Sequence, residues 1–376
     1  MKRKMLYFTK MNFGFDVNYG FKKKVFAQSA AFRSYGFEVD ICFIEHNDVV
    51  IENHENRVEY ECNNVFSRSY FQFLSLPTCI NIKQYDVLYI RHFLTNPLFL
   101  IFLKNCKKRH PKLKIIMEIP TYPYQFEHKS ISQRFKYKID AWCFNFFRNY
   151  ISRIVTFSNL EEIEGIKTIK THNGIDENEK IDLIKTDFDR ELNLIGLANI
   201  QPWHGFDRVI EGLHLYKGDK KINFHVVGLG PELAHLQSLV TKYKLQNQVL
   251  FYGHKTTDAL ESIFSTMHIG VANLAFHRMQ VSKGETSALK SREYALRGLP
   301  FIIGYLDRDF PSDFAFKYQV NPDETPINIP DLITYYEKMR NDYPSFEIKI
   351  RQFAIANLGW KNKLSGVVSY IDEYIE

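Results

Sequence analysis

Long apolar runs and a secretory signal are missing from this sequence of 376 residues. A membrane-spanning helix needs roughly 20 consecutive apolar residues, whereas the most apolar run here covers residues 98–103 and ends at Lys104. The apolar segment after the basic N-terminus is confined to residues 5–8, which is short for a signal peptide. We therefore expect a cytoplasmic protein.

Paired cysteines and metal-ligand spacings are missing as well. The five cysteines are scattered and none forms a CxxC pair, which favours reduced thiols over disulfides or a metal centre. Two Asp-x-Asp strings occur, Asp187-Phe188-Asp189 and Asp307-Arg308-Asp309. We interpret both as solvated loop acids, so we expect neither a metal nor another cofactor.

Charge is uneven along the chain, whose formal net charge is +6. Residues 104–153 hold 12 basic and 3 acidic residues. The part at 129–153 is also aromatic, which is typical either of a buried helix with a solvated basic face or of a surface that docks on anionic lipid. Docking would make the protein peripheral on the inner face of the cell membrane. No nucleic-acid-binding motif is present, so we expect no nucleic-acid partner.

Short β-rich runs alternate with helix-length segments, which predicts α/β domains with parallel sheets covered on both faces. Strands are predicted at residues 4–8, 37–44, 57–62, 85–90, 114–119, 153–157 and 168–171, then at 192–198, 223–227, 249–252, 268–272 and 300–304. Helices are predicted at 21–34, 93–108, 131–150, 206–215, 231–243, 258–266 and 286–297. Two such series indicate two Rossmann-like, doubly wound domains.

We predict an N-terminal domain over residues 1–175, a linker at 176–190 and a C-terminal domain over 191–359. The apolar positions of residues 360–375 fall on one helical face, so we expect the helix in 360–376 to cross back and join the N-terminal domain. Ligands of open parallel sheets bind beyond the carboxyl ends of the strands. The site is therefore expected in a cleft between the two domains.

Two glutamates eight positions apart, Glu285 and Glu293, are the strongest chemical signal. A helix that begins near Thr286 would place both carboxylates on one side, because eight residues are a little over two turns. Carboxylates accept hydrogen bonds from sugar hydroxyls, and the N–H groups of a first helical turn suit a diphosphate. The spacing alone favours an ordinary amphipathic helix with solvated glutamates, but the surrounding sequence changes this interpretation.

Around this pair the sequence resembles the retaining GT-B glycosyltransferases of family 4, whose signature is Glu-x7-Glu followed by Gly-x-Pro and a strand. Here Gly298-Leu299-Pro300 supplies the second part. Further matching segments are Gly20-Phe21-Lys22-Lys23-Lys24, Asn173-Gly174-Ile175-Asp176, and residues 198–208, 226–233 and 249–254. These segments occur in the same order as in the family, and together they extend over most of the chain.

The resemblance implies a retaining transfer of a sugar from a UDP- or GDP-sugar to a saccharide acceptor, without a metal. It implies that Glu285 contacts the donor sugar and that Glu293 holds the ribose hydroxyls. The diphosphate would bind the backbone amides of Ser287, Ala288, Leu289 and Lys290. Other residues implied at the donor site are Gly20, in a glycine-containing loop, Asn199, His204 and His254.

Three positions depart from the family pattern. The usual Arg and Lys of the diphosphate clamp are Asn199 and His204 here, so Lys290, together with Arg292, becomes the candidate for the missing charge. Two interpretations of His204 stay open: it is either a packed turn residue or a hydrogen-bond donor to the phosphate. The usual His at the end of an N-domain strand is replaced by Glu118, which becomes a candidate catalytic residue.

Arg91, His92 and Tyr122 follow predicted strands at their carboxyl ends and are candidate contacts for the acceptor; a surface salt bridge is the alternative for Arg91 and His92. Docking through residues 129–153 would make the acceptor a lipid-linked saccharide, as in polysaccharide or cell-envelope synthesis. Two other functions stay open. One is a nucleotide-sugar 2-epimerase, which shares the architecture, and the other is a non-catalytic partner subunit with the same fold.

Overall fold

The chain divides into two compact units. The computed structural model describes residues 3–15, 18–124, 131–184, 188, 191–255, 257–279 and 285–375. The first unit combines Met1–His172 with Trp360–Glu376, and the second covers Asn173–Gly359. Residues predicted as a linker therefore fall in the second unit, where Ile184 and Phe188 are buried in its core.

A nine-stranded sheet forms the centre of the first unit. Its strands are β1 (Arg3–Asn12), β2 (Phe37–Glu45), β3 (Asp48–Glu52), β4 (Arg57–Tyr60), β5 (Val87–Arg91), β6 (Lys114–Ile119), β7 (Arg153–Thr156), β8 (Glu162–Ile163) and β9 (Ile166–Lys170). Their spatial order is β4-β3-β2-β1-β5-β6-β7-β9-β8. The central strands pair in parallel, and their apolar runs are buried on both faces, as the sequence predicts.

Two antiparallel additions at the edges were not predicted from the sequence. The β3 strand pairs antiparallel with β2 and β4, and β8 forms a short hairpin with β9. Both β3 and β8 are short, at five and two residues, so a period-2 pattern cannot be recognised in them.

Helices cover the two faces of this sheet. They are α1 (Tyr19–Ser34), α2 (Val65–Tyr70), α3 (Leu76–Cys79), α4 (Pro97–Arg109), α5 (Ile131–Phe147) and, from the end of the chain, α12 (Trp360–Ile375). A π-helical turn at Phe71–Ser75 joins α2 to α3. On the α1 side, α12 contributes Trp360, Leu364 and Val367 to the core.

The second unit has a six-stranded sheet in which all neighbours are parallel. Its strands are β10 (Glu191–Leu197), β11 (Lys221–Val227), β12 (Val249–Gly253), β13 (Ile269–Val271), β14 (Phe301–Ile303) and β15 (Lys317–Gln319), in the order β12-β11-β10-β13-β14-β15. Its helices are α6 (Phe206–Leu215), α7 (Leu233–Tyr243), α8 (Thr257–Phe264), α9 (Leu289–Leu296), α10 (Ile329–Asp342) and α11 (Phe346–Leu358). The predicted α/β class with two doubly wound, mainly parallel sheets is confirmed.

Candidate active site

The strand order of the second unit identifies where its ligand site should lie. The chain leaves β10 toward β11 on one side, whereas β13, on the other side of β10, continues toward β14. Such a reversal opens a crevice at the carboxyl ends of the two central strands. Residues that follow β10, residues that follow β13 and the start of α9 therefore meet at this edge.

The turn after β10 carries His204. Its Nδ1 accepts a hydrogen bond from the Gln201 backbone N–H at 2.9 Å, so the neutral ring carries its proton on Nε2. Burial, together with the charge of Lys290, holds the pKa of His204 well below its ordinary value. His204 is thus a packed turn residue whose second nitrogen is a neutral donor.

Gly205, the next residue, adopts φ +64°, and a Cβ there would lie 2.9 Å from the Ala275 backbone nitrogen. The loop after β13 also donates from the Leu274 N–H to the His204 carbonyl at 3.0 Å. The glycine is therefore required for the close approach of these two loops.

Lys290 lies in the first turn of α9. Its Nζ donates to Asn273 Oδ1 at 2.8 Å, and burial lowers its pKa to about 7. Asn273 follows β13 and is buried. Asn273 was not predicted as a site residue, although its position directly after a strand at the switch point is a signal for one.

The start of α9 differs from the sequence prediction. The helix begins at Leu289, with Ala288 in an extended conformation, and not near Thr286. Glu285 forms a bridge with Leu306, and the Thr286 N–H donates to the Leu306 carbonyl at 3.0 Å. The two glutamates therefore do not share one helix, and the predicted helical alignment of their carboxylates is wrong.

Ser287 is attached to the Asn-Gly-Ile-Asp element. Asn173 Nδ2 donates to the Ser287 carbonyl at 2.6 Å, and the Asn173 N–H donates to Ser287 Oγ at 3.1 Å. The two matching segments of the sequence thus contact each other. The N–H groups of the first turn of α9, which begins two residues later, have no acceptor within the helix.

Arg292 does not supply charge to a ligand, contrary to the sequence prediction. Its guanidinium is fully buried, pairs with Asp307 and Asp309, and donates from Nε to the Asn173 carbonyl at 2.9 Å. The interpretation of Asp307 and Asp309 as solvated loop acids is wrong for the same reason. These acids neutralise a buried arginine.

Both predicted glutamates form ion pairs. Glu285 accepts hydrogen bonds from Nε and Nη2 of Arg308, the latter at 3.1 Å. Glu293 accepts from Arg297 Nη1 at 2.6 Å, and Arg297 also binds Glu261. Both carboxylates remain partly exposed.

The remaining donor candidates are more dispersed. Asn199 follows β10 and His254 follows β12, and both are exposed at the carboxyl edge of the second sheet. Gly20 lies in the first turn of α1 rather than in a loop, and nothing lies within 4 Å of a Cβ built there. The local structure of the first unit therefore does not require glycine at position 20.

Glu118, the predicted catalytic carboxylate of the first unit, is fully buried in β6. Gln28 Nε2 and the Tyr89 hydroxyl donate to it at 2.8 and 2.7 Å, Lys24 Nζ lies 3.2 Å away, and Arg91 forms a further ion pair. Arg91, a predicted acceptor contact, is thus the ion-pair partner of Glu118.

Charge and burial compete at this cluster. Burial alone would raise the pKa of Glu118, but Lys24 and Arg91 outweigh it and hold that pKa well below its ordinary value. Burial and the nearby Arg91 lower the pKa of Lys24 to about 7. Glu118 is therefore an ionised acid enclosed by protein donors.

The other two acceptor candidates lie around Asp140 of α5. The His92 ring packs on Tyr124 at 4.6 Å between centroids, and its Nε2 is 3.8 Å from Asp140 Oδ1. The Tyr122 hydroxyl donates to Glu164. A small cavity is lined by Tyr122, Tyr124 and Asp140, whereas neither His92 nor Arg91 is among its lining residues.

The outward face of α5 carries exposed aromatic and basic side chains. Phe135 and Trp142 are 66% and 50% exposed, and Phe146 lies one turn beyond Trp142. Arg134, Lys136, Lys138 and Arg148 are exposed around them. Lys129, part of the same predicted surface, lies outside the described residues.

None of the helices in the part of the chain that the structure describes has the length and hydrophobicity that crossing a bilayer requires. Across the same ranges, no three His, Cys, Asp or Glu side chains are grouped as ligands of a metal ion.

Comparison with known proteins gives a match for part of the second unit. Residues 178–305, which span β10–β14, match the family model described as glycosyl transferases group 1. No curated protein matches the chain. The resemblance to group 1 GT-B glycosyltransferases that the motifs indicated is therefore confirmed for this segment of the second unit.

Solved structures extend the likeness to the whole chain. A glycosyltransferase from Rickettsia africae has 13% identity and a TM-score of 0.63, with 100% of this chain and 99% of that chain covered. Sucrose-phosphate synthase from Thermosynechococcus elongatus has 12% identity and a TM-score of 0.65 over 99% of both chains. HepE from Anabaena, solved in complex with UDP, has 12% identity and a TM-score of 0.63 over 98% of this chain and 100% of its own. The fold of the chain is GT-B.

Proposed function

We propose that this protein is a retaining glycosyltransferase that moves a sugar from a nucleoside-diphosphate sugar to a saccharide acceptor. The observation that carries the proposal is the combination of Lys290, the donor Nε2 of His204 and the first-turn amides of α9, which have no acceptor within the helix, at the switch point of the second unit. The match of this segment to group 1 glycosyltransferases and the UDP complex of HepE support a nucleotide-sugar donor.

The chemistry follows from the charges at this site. The bond between the anomeric carbon and the diphosphate breaks, the acceptor oxygen bonds to that carbon, and the hydroxyl proton leaves with the diphosphate. Negative charge develops on the leaving group, where the amides and the Lys290 ammonium stabilise it without a metal. Glu285 binds hydroxyls of the donor sugar, and Glu293 binds the ribose.

Two alanine substitutions separate these roles. Glu293→Ala should raise the donor KM about 10- to 100-fold, because charge-assisted hydrogen bonds are worth about 1.5–3 kcal/mol. Glu285→Ala should lower kcat about 100-fold or more. Steady-state kinetics with a panel of UDP- and GDP-sugars and saccharide acceptors measures both.

Each variant has a matched control that changes the ion pair of the glutamate but keeps the glutamate itself. Glu261→Ala breaks an ion pair with Arg297 but leaves Glu293, and Arg308→Ala breaks the pair with Glu285 but leaves that carboxylate. Normal kinetics in both glutamate variants would refute the roles of Glu285 and Glu293. Donor conversion without any acceptor would instead identify a 2-epimerase, and nucleotide binding without turnover a partner subunit.

We further propose that the acceptor is lipid-linked and that the protein docks peripherally on the inner face of the cell membrane through α5. Phe135, Trp142 and Phe146 are exposed on this helix together with exposed basic residues, and the exposed Arg148 follows its last residue, whereas its single acid, Asp140, is buried. Aromatic rings suit the interface of a bilayer, and each basic residue contributes about 1 kcal/mol on an anionic surface.

Sedimentation with phosphatidylglycerol vesicles tests the docking. Replacing Arg134, Lys138 and Arg148 by Gln should weaken binding about 100-fold, since three such contributions are lost. Replacing Lys104, Lys108 and Arg109 of α4 removes the same charge elsewhere and should have little effect. Equal losses in both triple variants, or equal binding to neutral phosphatidylcholine vesicles, would contradict docking through α5.

A further inference from the structure

One outer edge of the sheet in the first unit is formed by β4. Within the part of the chain that the structure describes, β3 is the only strand that pairs with it, and all of its residues except Tyr60 are exposed. The edge of a sheet presents unpaired backbone N–H and C=O groups, so another strand can pair with it. We call the outward side of this strand the β4 edge.

The register of the β3–β4 hairpin determines which backbone groups point outward. The Asn53 N–H donates to the Asn56 carbonyl at 2.9 Å, so these two residues form a hydrogen-bonded pair that closes the hairpin. Hydrogen-bonded and non-hydrogen-bonded pairs alternate along antiparallel strands. Val58 therefore bonds toward β3, whereas the N–H and C=O groups of Arg57 and Glu59 point away from it. These outward groups have no hydrogen-bond partner among the described residues.

The charges on the β4 edge favour one kind of strand. Arg57 and Glu59 lie on the same face of the sheet, and Arg57 Nε donates to Glu59 Oε1 at 2.6 Å. Charged side chains on an edge normally prevent pairing with other strands. The same strand of a second copy is an exception, because a two-fold axis at Val58 places Arg57 of each copy opposite Glu59 of the other. Opposite charges at directly opposed positions stabilise a strand pair.

The same register also satisfies the outward backbone groups. Arg57 of one copy and Glu59 of the other become a hydrogen-bonded pair, in which the two residues exchange both N–H···O bonds. Val58 then faces Val58 of the second copy as a non-hydrogen-bonded pair, in which side chains lie closest. This side chain is 48% exposed in the single chain and would be covered. Backbone, charge and apolar contact therefore agree on one register.

Further exposed apolar side chains lie on the Val58 side of the sheet. Tyr60, which shares this face, packs on Phe71 with ring centroids 4.6 Å apart. Directly before Phe71, α2 exposes Phe66 and Tyr70, at 87% and 61%. Exposed aromatic side chains next to an edge add apolar area that a second copy would bury.

We infer that two copies of this chain associate through their β4 edges about a two-fold axis at Val58, so that the sheet continues from one copy into the other. The interface is isologous, because both copies contribute the same residues. It is also small, and we expect a reversible dimer with a dissociation constant of about 1–100 µM. This inference does not depend on the proposed transferase function.

Charge reversal tests both the dimer and its register. Arg57→Glu and Glu59→Arg each place like charges opposite each other, so each variant alone should dimerise at least about tenfold more weakly than the wild type. In a mixture of the two variants, opposite charges face each other again, and a heterodimer should form about as tightly as the wild-type dimer. Sedimentation velocity with one variant fluorescently labelled measures both effects.

Two further variants complete the test. Glu61→Arg reverses an exposed charge directly after the strand and is the matched control, which should dimerise like the wild type. Glu59→Pro removes an outward N–H without removing a bond to β3, and it should weaken the dimer. Circular dichroism and thermal unfolding confirm that each variant is folded.

Three outcomes would overturn the inference. The first is a wild-type protein that stays monomeric at about 300 µM, above the expected range of dissociation constants. The second is a mixture of the two charge-reversed variants that forms no more dimer than either variant alone. The third is equal dimerisation of the wild type, Arg57→Glu and Glu59→Pro, since the dimer would then use another surface.

Discussion

Lys290 and His204 belong to the same candidate site but differ in their charge state. Burial holds His204 neutral and leaves Lys290 with a pKa of about 7. A lysine with this pKa is mainly a cation only below about pH 7. The protonated form attracts a diphosphate, and a bound diphosphate in turn stabilises the protonated form.

Binding of UDP-glucose should therefore weaken as pH rises through the pKa of Lys290. The sign follows because the ammonium, which attracts the diphosphate, is lost above about pH 7, and the diphosphate of a nucleotide sugar does not itself titrate there. Lys290→Met should bind about 10- to 100-fold more weakly below that pH and show a flat profile. Isothermal titration calorimetry across this range measures both effects.

The exposed Lys242 of α7 provides the control for this experiment, since Lys242→Met removes a charge away from the site. An unchanged pH profile in Lys290→Met would show that another group causes the dependence.

At the buried cluster of the first unit, Glu118→Gln should lower the stability by about 3–5 kcal/mol at neutral pH, because Lys24 and Arg91 lose the ion that neutralises them. The folded-state pKa of Glu118 is depressed below its ordinary 4.5, so its stabilisation is present above that pH and is lost as pH falls below it. The variant should therefore show a flatter acid limb in thermal unfolding.

Glu61→Gln, at an exposed position of the same unit, should change neither the stability nor the acid limb. Parallel acid limbs for wild type and Glu118→Gln would contradict the buried ionised state of Glu118.

At the scale of elements, the position of α9 depends on contacts that are distant in sequence. Thr286 bonds the Leu306 carbonyl, Ser287 is held by Asn173, and Arg292 joins the helix to the Asp307 loop. These contacts hold the residues before the helix, of which Ala288 is extended, and the helix begins at Leu289. Local sequence contains no capping signal that would reveal this start.

Arg292→Lys should destabilise the second unit by about 3–5 kcal/mol, since lysine cannot reproduce the forked contacts to Asp307, Asp309 and the Asn173 carbonyl. Because α9 carries Lys290, nucleotide binding should weaken as well. Urea unfolding and nucleotide titration measure the two effects.

Arg308→Ala, in the same loop, breaks only the partly exposed pair with Glu285, which should cost at most about 1 kcal/mol. Similar stability losses in the Arg292 and Arg308 variants would disprove a special role for the buried arginine.

At the scale of the whole molecule, the end of the chain belongs to the unit formed by its beginning. Leu364 of α12 is fully buried with residues of β1 and α1, and Leu332 of α10 is fully buried in the second unit. Each unit has its own hydrophobic core, so a cavity in one should act mainly on that unit.

Leu364→Ala should destabilise the first unit by about 2–5 kcal/mol and speed amide exchange in β1 and β5, while β10 and β11 keep their protection. Leu332→Ala is the matched variant and should give the opposite pattern. Hydrogen exchange resolved by peptide measures this. Uniform loss of protection in both units from either substitution would show that they unfold together.

How much could be predicted from the sequence depends on the range of the interactions. Alternating apolar runs and helical segments predict the two doubly wound units, because burial on both faces of a parallel sheet requires continuous apolar strands. The Glu285–Glu293 segment and the motifs around it indicate the group 1 resemblance. The roles of these glutamates stay predictions.

Tertiary contacts decided the charge states and partners of the individual side chains. The sequence does not reveal that Arg292 faces Asp307, that Glu118 is enclosed by Lys24 and Arg91, or that His92 lies beside Asp140. The alternation of apolar runs and helical segments, which indicates the fold, involves residues close in sequence and recurs along the chain. Burial and ion pairing join single residues far apart in sequence, and only the folded chain brings them together.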